Sequence, residues 1–304
     1  MRRPLVLGLL IGIGGLTLAA AAAQQPAQPM VVEVDKLKDN LFVLRGGGGN
    51  TTIFVQANGV TVVDTKNPGW GQPILAKIRE ITNKPVVRII NTHTHGDHVS
   101  GNVAFADNVD IVTHVNTAEN MKMMRSVTSI PAPQPNVFKE NNGKGLAKRT
   151  FTDSLTLDNG NDRIELRYFG RGHTNGDAWV VFPALRVMSA GDIFSGKNLP
   201  LLDYNNGGSG AEIGDTLMKA YTATGTMVDA IVTGHSTVLT PNDLREYAEF
   251  NREFLAAVQA GKKAGRSAEQ IAKEWTMPAR YAGYAAAAPA RLQANVENVY
   301  KEAR

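Results

Sequence analysis

The run Asn91-Thr92-His93-Thr94-His95-Gly96-Asp97-His98 places three imidazoles and a carboxylate within six residues. Imidazole nitrogen and carboxylate oxygen are the donors that borderline divalent cations such as zinc accept, so the chemistry to expect is metal binding. In an extended segment, residues two apart project to the same side, which lets His93 and His95 share one ion. Asp97 and His98 fall where the chain turns toward a helix and can reach a second ion beside the first. Three further positions look alike: His173 in Gly170-Arg171-Gly172-His173-Thr174-Asn175-Gly176-Asp177, Asp192 in Ser189-Ala190-Gly191-Asp192-Ile193-Phe194, and His235 in Val232-Thr233-Gly234-His235-Ser236. Each follows an expected strand and has glycine beside it. Strand-end loops are where a rigid scaffold presents ligands, and glycine lets the backbone turn tightly toward a metal. Five of the six histidines fall in such loops.

The elements that must position these residues follow from periodicity. Residues 41–45, 51–56 and 60–64 alternate as strands of a meander, with Asn58-Gly59 as a two-residue hairpin turn. The four consecutive glycines Gly46 to Gly49 cannot pack a core and are expected to form a mobile hairpin tip. Ile74, Leu75, Ile78 and Ile81 have helical spacing over residues 72–82, and Pro85 marks the exit. Residues 86–90 are a nearly continuous apolar run, as expected of a strand buried on both faces. Helices are predicted at 99–106, 117–124, 211–223, 241–259, 268–275 and 289–302, and strands at 111–115, 163–169, 179–182, 187–189 and 230–233. Residues 129–148, rich in Pro, Asn, Gly and Lys, read as a long loop of the kind that forms an active-site wall. Strand blocks interleaved with helices predict sheets covered by helices, in an α/β or α+β arrangement.

The 304-residue chain is 43% apolar and 20% charged, which excludes a disordered or collagen-like protein. It has no cysteine, so disulfides, thiolate nucleophiles and cysteine-based zinc sites are excluded. Arg2 and Arg3, the apolar stretch from Leu5 to Leu18 and the alanines Ala19 to Ala23 predict a secretory signal peptide over residues 1–23. Residues 24–30 read as a short linker and 31–304 as one domain with a C-terminal helical segment. Removing the signal takes away two arginines and no acids, lowering the net charge from +4 to +2. That charge gives no reason to expect a nucleic-acid partner. A periplasmic or secreted protein without a stable membrane anchor is expected.

Asp64 at the end of Val60-Thr61-Val62-Val63-Asp64, the His93-x-His95-x-Asp97-His98 run, His173, Asp192 and His235, in that order, resemble the motif series of the metallo-β-lactamase superfamily. The resemblance spans residues 41–236 and implies an α+β fold, a four-layer αββα sandwich with a two-metal site at one edge of the sheets. Carried over by position, it implies His93, His95 and His173 on the first metal, Asp97, His98 and His235 on the second, and Asp192 bridging both. Asp64 reads as a group behind the ligands that orients one of them or the His-rich loop. Lactamases of one well-known group have cysteine at the place of Asp192; a bridging aspartate is more similar to glyoxalase II, lactonase and phosphodiesterase relatives.

These readings predict an exported hydrolase with two zinc ions, iron or manganese being alternatives, whose bridging hydroxide attacks the carbonyl of a small-molecule cyclic amide or ester. Asp97 would orient that hydroxide and relay its proton. β-Lactams are the first substrate expectation, followed by lactones, other esters and thioesters. Two other classes stand beside it: a mononuclear iron sulfur-compound dioxygenase using His93, His95 and His173 alone, and a metal-binding protein without turnover. Lys197, Asn205, Asn206 and Ser209, in a Gly/Asn-rich loop after Asp192, are candidate substrate contacts; Gly207 and Gly208 suit a plain flexible loop equally well. Trp70 suits either a pocket wall or a cap on the first helix. His114 reads as an ordinary hydrogen-bonded strand histidine, and Tyr281 and Tyr284 as packing residues.

Overall fold

Strands that are apolar on both faces must be covered on both faces, and that requirement organises the molecule. The computed structural model describes residues 32–302, so the expected signal peptide (1–23) and linker (24–30) lie outside the described residues. The meander β1 (Glu33–Lys38), β2 (Leu41–Arg45), β3 (Thr51–Val55) and β4 (Val60–Val63) is antiparallel. The strands β5 (Val86–Ile90), β6 (Asp110–His114) and β7 (Arg149–Phe151) extend it in parallel to a seven-stranded sheet. In the five-stranded second sheet, β8 (Ser154–Leu157), β9 (Ile164–Arg167), β10 (Trp179–Phe182) and β11 (Val187–Gly191) run antiparallel, and β12 (Ala230–Thr233) pairs parallel with β11.

Alternation along the strands sorts side chains into three apolar layers. Leu41, Val43, Phe54, Val63 and Ile90 meet Leu166, Val180, Phe182 and Val232 between the sheets. Leu44, Ile53, Val62 and Ile89 point the other way, against Ile74 and Ile78 of α1 (Gly71–Ile81). On the far side, Trp179, Val181 and Met188 of the second sheet pack against α5 (Ile213–Thr224), α6 (Pro241–Lys263), α7 (Ala268–Glu274) and α8 (Pro289–Glu302). The layers are therefore helix, sheet, sheet, helix. Truncating a wholly buried side chain such as Phe182 to alanine costs about 3–5 kcal/mol. Three short helices, α2 (Gly96–Val99), α3 (Val115–Met123) and α4 (Val137–Glu140), lie in the connections. No helix among the described residues is long and apolar enough to cross a membrane.

Several expectations change. The first strand β1 and the short β7 carry no apolar alternation that marks them, and β8 alternates over only four residues; β1 is a charged, largely exposed edge, as edge strands tend to be. The helix expected over 99–106 is α2 followed by a 3-10 turn, Ser100–Ala104. The long 129–148 loop contains α4. The glycine tip, expected to be mobile, is packed tightly: Gly49 N donates to Asp97 O (3.0 Å), and a Cβ at Gly47 would run into the Trp70 indole. Glycine is needed there for close approach as much as for its positive φ of 70° at Gly47. Trp70 itself sits at the start of α1.

Candidate metal centre

The site collects the carboxyl ends of four parallel-paired strands, the edge at which open sheets present functional loops. Asp64 follows β4, the His-rich run follows β5, Asp192 follows β11 and His235 follows β12; His173 lies in the connection from β9 to β10. Cross-sheet bonds hold this edge together. Asn50 N donates to Gly234 O (2.7 Å), the Asn50 amide donates to Thr233 O and Ser236 O (both 2.9 Å), and the Thr52 and Ser189 hydroxyls meet at 2.8 Å.

All seven expected ligands converge. His93, His95, His173 and Asp192 offer donor atoms within 4.8 Å of one another, as do Asp97, His98 and His235. The Asp192 carboxylate stands between the groups: Oδ2 is 4.0 Å from His93 Nε2 and 3.8 Å from His173 Nε2, while Oδ1 is 3.2 Å from His98 Nε2 and Oδ2 3.2 Å from His235 Nε2. Four ring nitrogens on the far sides are held by fixed partners. His98 Nδ1 bonds Asp64 Oδ2 (2.7 Å), His95 Nε2 bonds Asp203 Oδ2 (2.7 Å), His173 Nδ1 donates to Leu201 O (2.6 Å), and His93 Nδ1 meets the Thr92 hydroxyl (3.0 Å). Such partners fix which nitrogen faces a metal. His93 Nε2 is buried with no hydrogen-bond partner among the described residues, an arrangement that fits a cation and that nothing else in the site satisfies.

The electrostatics differ between the two groups. Burial, reinforced by the neighbouring imidazoles, holds His93 well below the usual histidine range and brings His173 down to about 4. Burial also opposes charge on His98, but the carboxylates of Asp192, Asp97 and Asp64 outweigh it and hold His98 well above that range. Asp192 is the main cause that raises His235 to about 9. Burial of Asp97 is outweighed by His98 and His235, which bring its carboxyl down to about 2.

A family model for the metallo-beta-lactamase superfamily matches residues 44–238, the span that contains every one of these ligands. The chain belongs to that superfamily. The fold and the His/Asp cluster are those of a metallo-beta-lactamase-fold, metal-dependent hydrolase. The chain is similar to a metallo-beta-lactamase type 2 from Elizabethkingia meningoseptica, 27% identical over 208 residues that make up 64% of this chain and 71% of the relative. It is also 27% identical over 172 residues to a hydroxyacylglutathione hydrolase from Nostoc punctiforme, covering 56% of this chain and 53% of that protein. Among solved structures, the fold is like that of a metallo-beta-lactamase from Pontibacter korlensis, with TM-score 0.59, 18% identity and coverage of 73% and 99%. The stereoselective inverting sec-alkylsulfatase Pisa1 from Pseudomonas sp. superposes at TM-score 0.70 with 15% identity over 90% of this chain. The chain spans 50% of that sulfatase's length.

Within this metallo-beta-lactamase fold, the four candidate substrate contacts take other places. The Ser209 hydroxyl is buried and bonds Glu302 (3.0 Å), and buried Asn206 donates to Asp203 (2.6 Å). Asn205 donates to Ser126 O (2.9 Å), and Lys197 pairs with Asp243 (2.7 Å) on α6. Each is engaged in fixing its loop, and none lines the cavity over the ligands. That cavity, of about 350 Å³, is lined by His95, Asp97, Asp192 and His235 together with Ile130, Ser195, Asn198, Leu201 and Arg291. Asp64 lies behind the ligands, where its carboxylate also accepts from Thr92 N (2.8 Å). His114 ends β6 and accepts from Asn116 N, with its ring stacked on Tyr168. Tyr281 and Tyr284 pack in the outer core.

Sequence reasoning missed Asp203, which supports His95, and Lys66. The Lys66 ammonium is wholly buried and donates to Leu44 O (2.9 Å) and Gly49 O (2.7 Å), tying the glycine tip down over His98. Burial lowers its pKa to about 7. Asp203 carries no glycine beside it and follows no strand, so nothing local marks it; a buried lysine is equally silent in a sequence.

Proposed function

We propose that the protein is an exported dinuclear zinc hydrolase acting on a cyclic amide or ester, with β-lactams first and lactones, other esters and thioesters next. The observation that carries this reading is the placement of Asp192 between two separate groups of imidazoles, with His93 Nε2 buried and unpartnered. His93, His95 and His173 would hold one ion, Asp97, His98 and His235 the other, with Asp192 shared. Two ions held by these residues would supply a nucleophilic water at neutral pH and polarise the carbonyl under attack. Asp97, ionised and half-buried with its Oδ2 3.2 Å from His235 Nε2, would orient the attacking water and relay its proton toward the leaving group. Asp203 and Leu201 O hold His95 and His173 in fixed orientation, so little reorganisation is needed during turnover. Ile130 and Leu201 form the apolar wall against which a small substrate body packs. The names of the curated relatives support hydrolysis, and the lactamase name puts β-lactams first. Export rests on the signal-like composition of residues 1–23.

Metal quantification on protein purified without added metal, beside a panel of chromogenic cephalosporin, acyl lactone, aryl ester and thioester, tests the proposal. Close to two zinc ions per chain and turnover of at least one cyclic amide or ester are expected. A single iron per chain with oxidation of a sulfur compound would overturn it.

A further inference from the structure

Among the described arginines, Arg291 combines partial burial beside the candidate ligands with a guanidinium that has no counter-ion. Arg45, Arg88, Arg171, Arg186 and Arg252 each pair with a carboxylate, as charged side chains on a folded surface commonly do. Arg291 is half-buried in the wall of the metal cavity, and no hydrogen bond or ion pair holds its guanidinium among the described residues. The carboxylates that share the cavity are committed elsewhere, Asp97 and Asp192 each lying 3.2 Å from His235 Nε2. A guanidinium taken partly out of water without a counter-ion is a binding site in waiting, because its planar fork matches an oxyanion and the desolvation is already suffered.

Its placement is built rather than incidental. Arg291, Asn295 and Asn298 are spaced i, i+4 and i+7 and so share one face of α8. Asn295 donates to Pro200 O (2.7 Å) and Asn298 to Leu202 O (3.3 Å), which locks that face against the loop carrying Leu201 and Asp203. Val296 and Val299 anchor the adjoining face in the outer core. The register of α8 is thereby set by the same loop that orients His95 and His173, and it places Arg291 in the wall of the cavity that His95 lines together with Asp97, Asp192 and His235. Beside it, Asn198 accepts from the Ser195 hydroxyl (3.3 Å) and keeps its own amide N–H groups for another acceptor. Arg291 lies beyond residues 44–238, so this feature belongs to the C-terminal segment and not to the part of the chain that the family model describes.

We infer that Arg291 is the anion-recognition residue of the metal cavity, and that the substrate carries a carboxylate or sulfate group on the same small molecule as the bond to be cleaved. The kinetic part of this inference rests on the hydrolase reading above; the binding part does not.

The binding arm is calorimetric titration of the metal-loaded protein with benzoate, phenyl sulfate and neutral benzamide. At least one anion is expected to bind about 10- to 100-fold tighter than benzamide, the range set by a charge-assisted contact. Arg291→Ala and the isosteric Arg291→Gln should remove that margin at unchanged metal content, and Arg291→Lys should restore part of it. Which anion binds tighter identifies the oxyanion. A margin that survives both neutral variants, or no margin in the parent protein, overturns the inference, since the anion would then rest on the metals or nowhere.

The kinetic arm compares 4-nitrophenyl hydrogen succinate with 4-nitrophenyl acetate. The neutral variants should lower the selectivity for the anionic ester, through KM, by about tenfold or more. Equal selectivity in parent and variants counts against Arg291 while leaving the hydrolase standing. Hydrolysis of neither ester nor any member of the wider panel would instead sink the hydrolase reading, and the calorimetric arm would still decide the role of Arg291.

Discussion

The two halves of the metal centre are built differently. His93 and His173 are 1% exposed, and the first group of imidazoles is held by buried Thr92 and Asp203 and by the carbonyl of half-buried Leu201. In the second group only His98 is buried; the Asp97 side chain is 29% exposed and that of His235 40%. Burial keeps His93 and His173 neutral, with lone pairs ready for a cation, whereas carboxylates hold His98 and His235 above the usual imidazole range. A cation entering the first half meets a finished, proton-poor pocket. One entering the second half must displace protons from groups open to the cavity, because only the neutral imidazole ligates. On the two-ion reading proposed above, one edge of the fold would hold a rigidly anchored ion and a more readily exchanged one side by side.

Loss of an anchor should have the largest effect on this contrast. His95→Ala should reduce turnover by more than the roughly 100-fold that removal of an outer partner costs, and should empty the first half while circular dichroism stays unchanged. Retention of both metals and near-normal turnover would erase the contrast altogether. Next, dialysis against a mild chelator should remove the ion of the second half first, and His235→Ala should lower the metal content by one equivalent while leaving the first ion in place. Simultaneous loss of both would show that Asp192 couples the halves more tightly than their exposure suggests. Asp203→Asn, which leaves the shape and weakens the support of His95, should cost about 10- to 100-fold in first-half metal affinity or activity.

The smallest effect on the site concerns its cover. Lys66 has a folded pKa of about 7 against an ordinary value of 10.5, so between these values the unfolded chain binds more protons than the folded one. Stability should therefore rise with pH across that window, the reverse of what a stabilised lysine would give. Lys66→Met should flatten that rise in thermal unfolding experiments and, by freeing the Gly49 carbonyl, loosen the second half more than the first. An unchanged slope would remove Lys66 from the account.

How much of this could be read before folding depends on range. The sandwich layers follow from runs such as Val60 to Val63, buried throughout; Val86 to Ile90, expected to be buried on both faces, buries only Ile89 and Ile90 and leaves Val87 exposed. β1 and β7 escaped because edge and short strands bury little and so carry little pattern; β8 does alternate, with Leu155 and Leu157 toward the core, but over four residues only. The glycine tip misled for a related reason: four glycines are locally flexible, and only the neighbouring Trp70, Asp97 and His98 turn that freedom into close packing.

The candidate ligand types, their order along the chain and the glycine-flanked strand ends that carry them are properties of short segments and can be read from the sequence. Which nitrogen of each ring faces the centre, the bracing roles of Lys197, Asn205, Asn206 and Ser209, and the place of Arg291 in the cavity wall follow only from the packing of distant segments. Partners such as Asp203 and His95 lie 108 residues apart, and no local pattern encodes a contact that exists only once separate layers have packed.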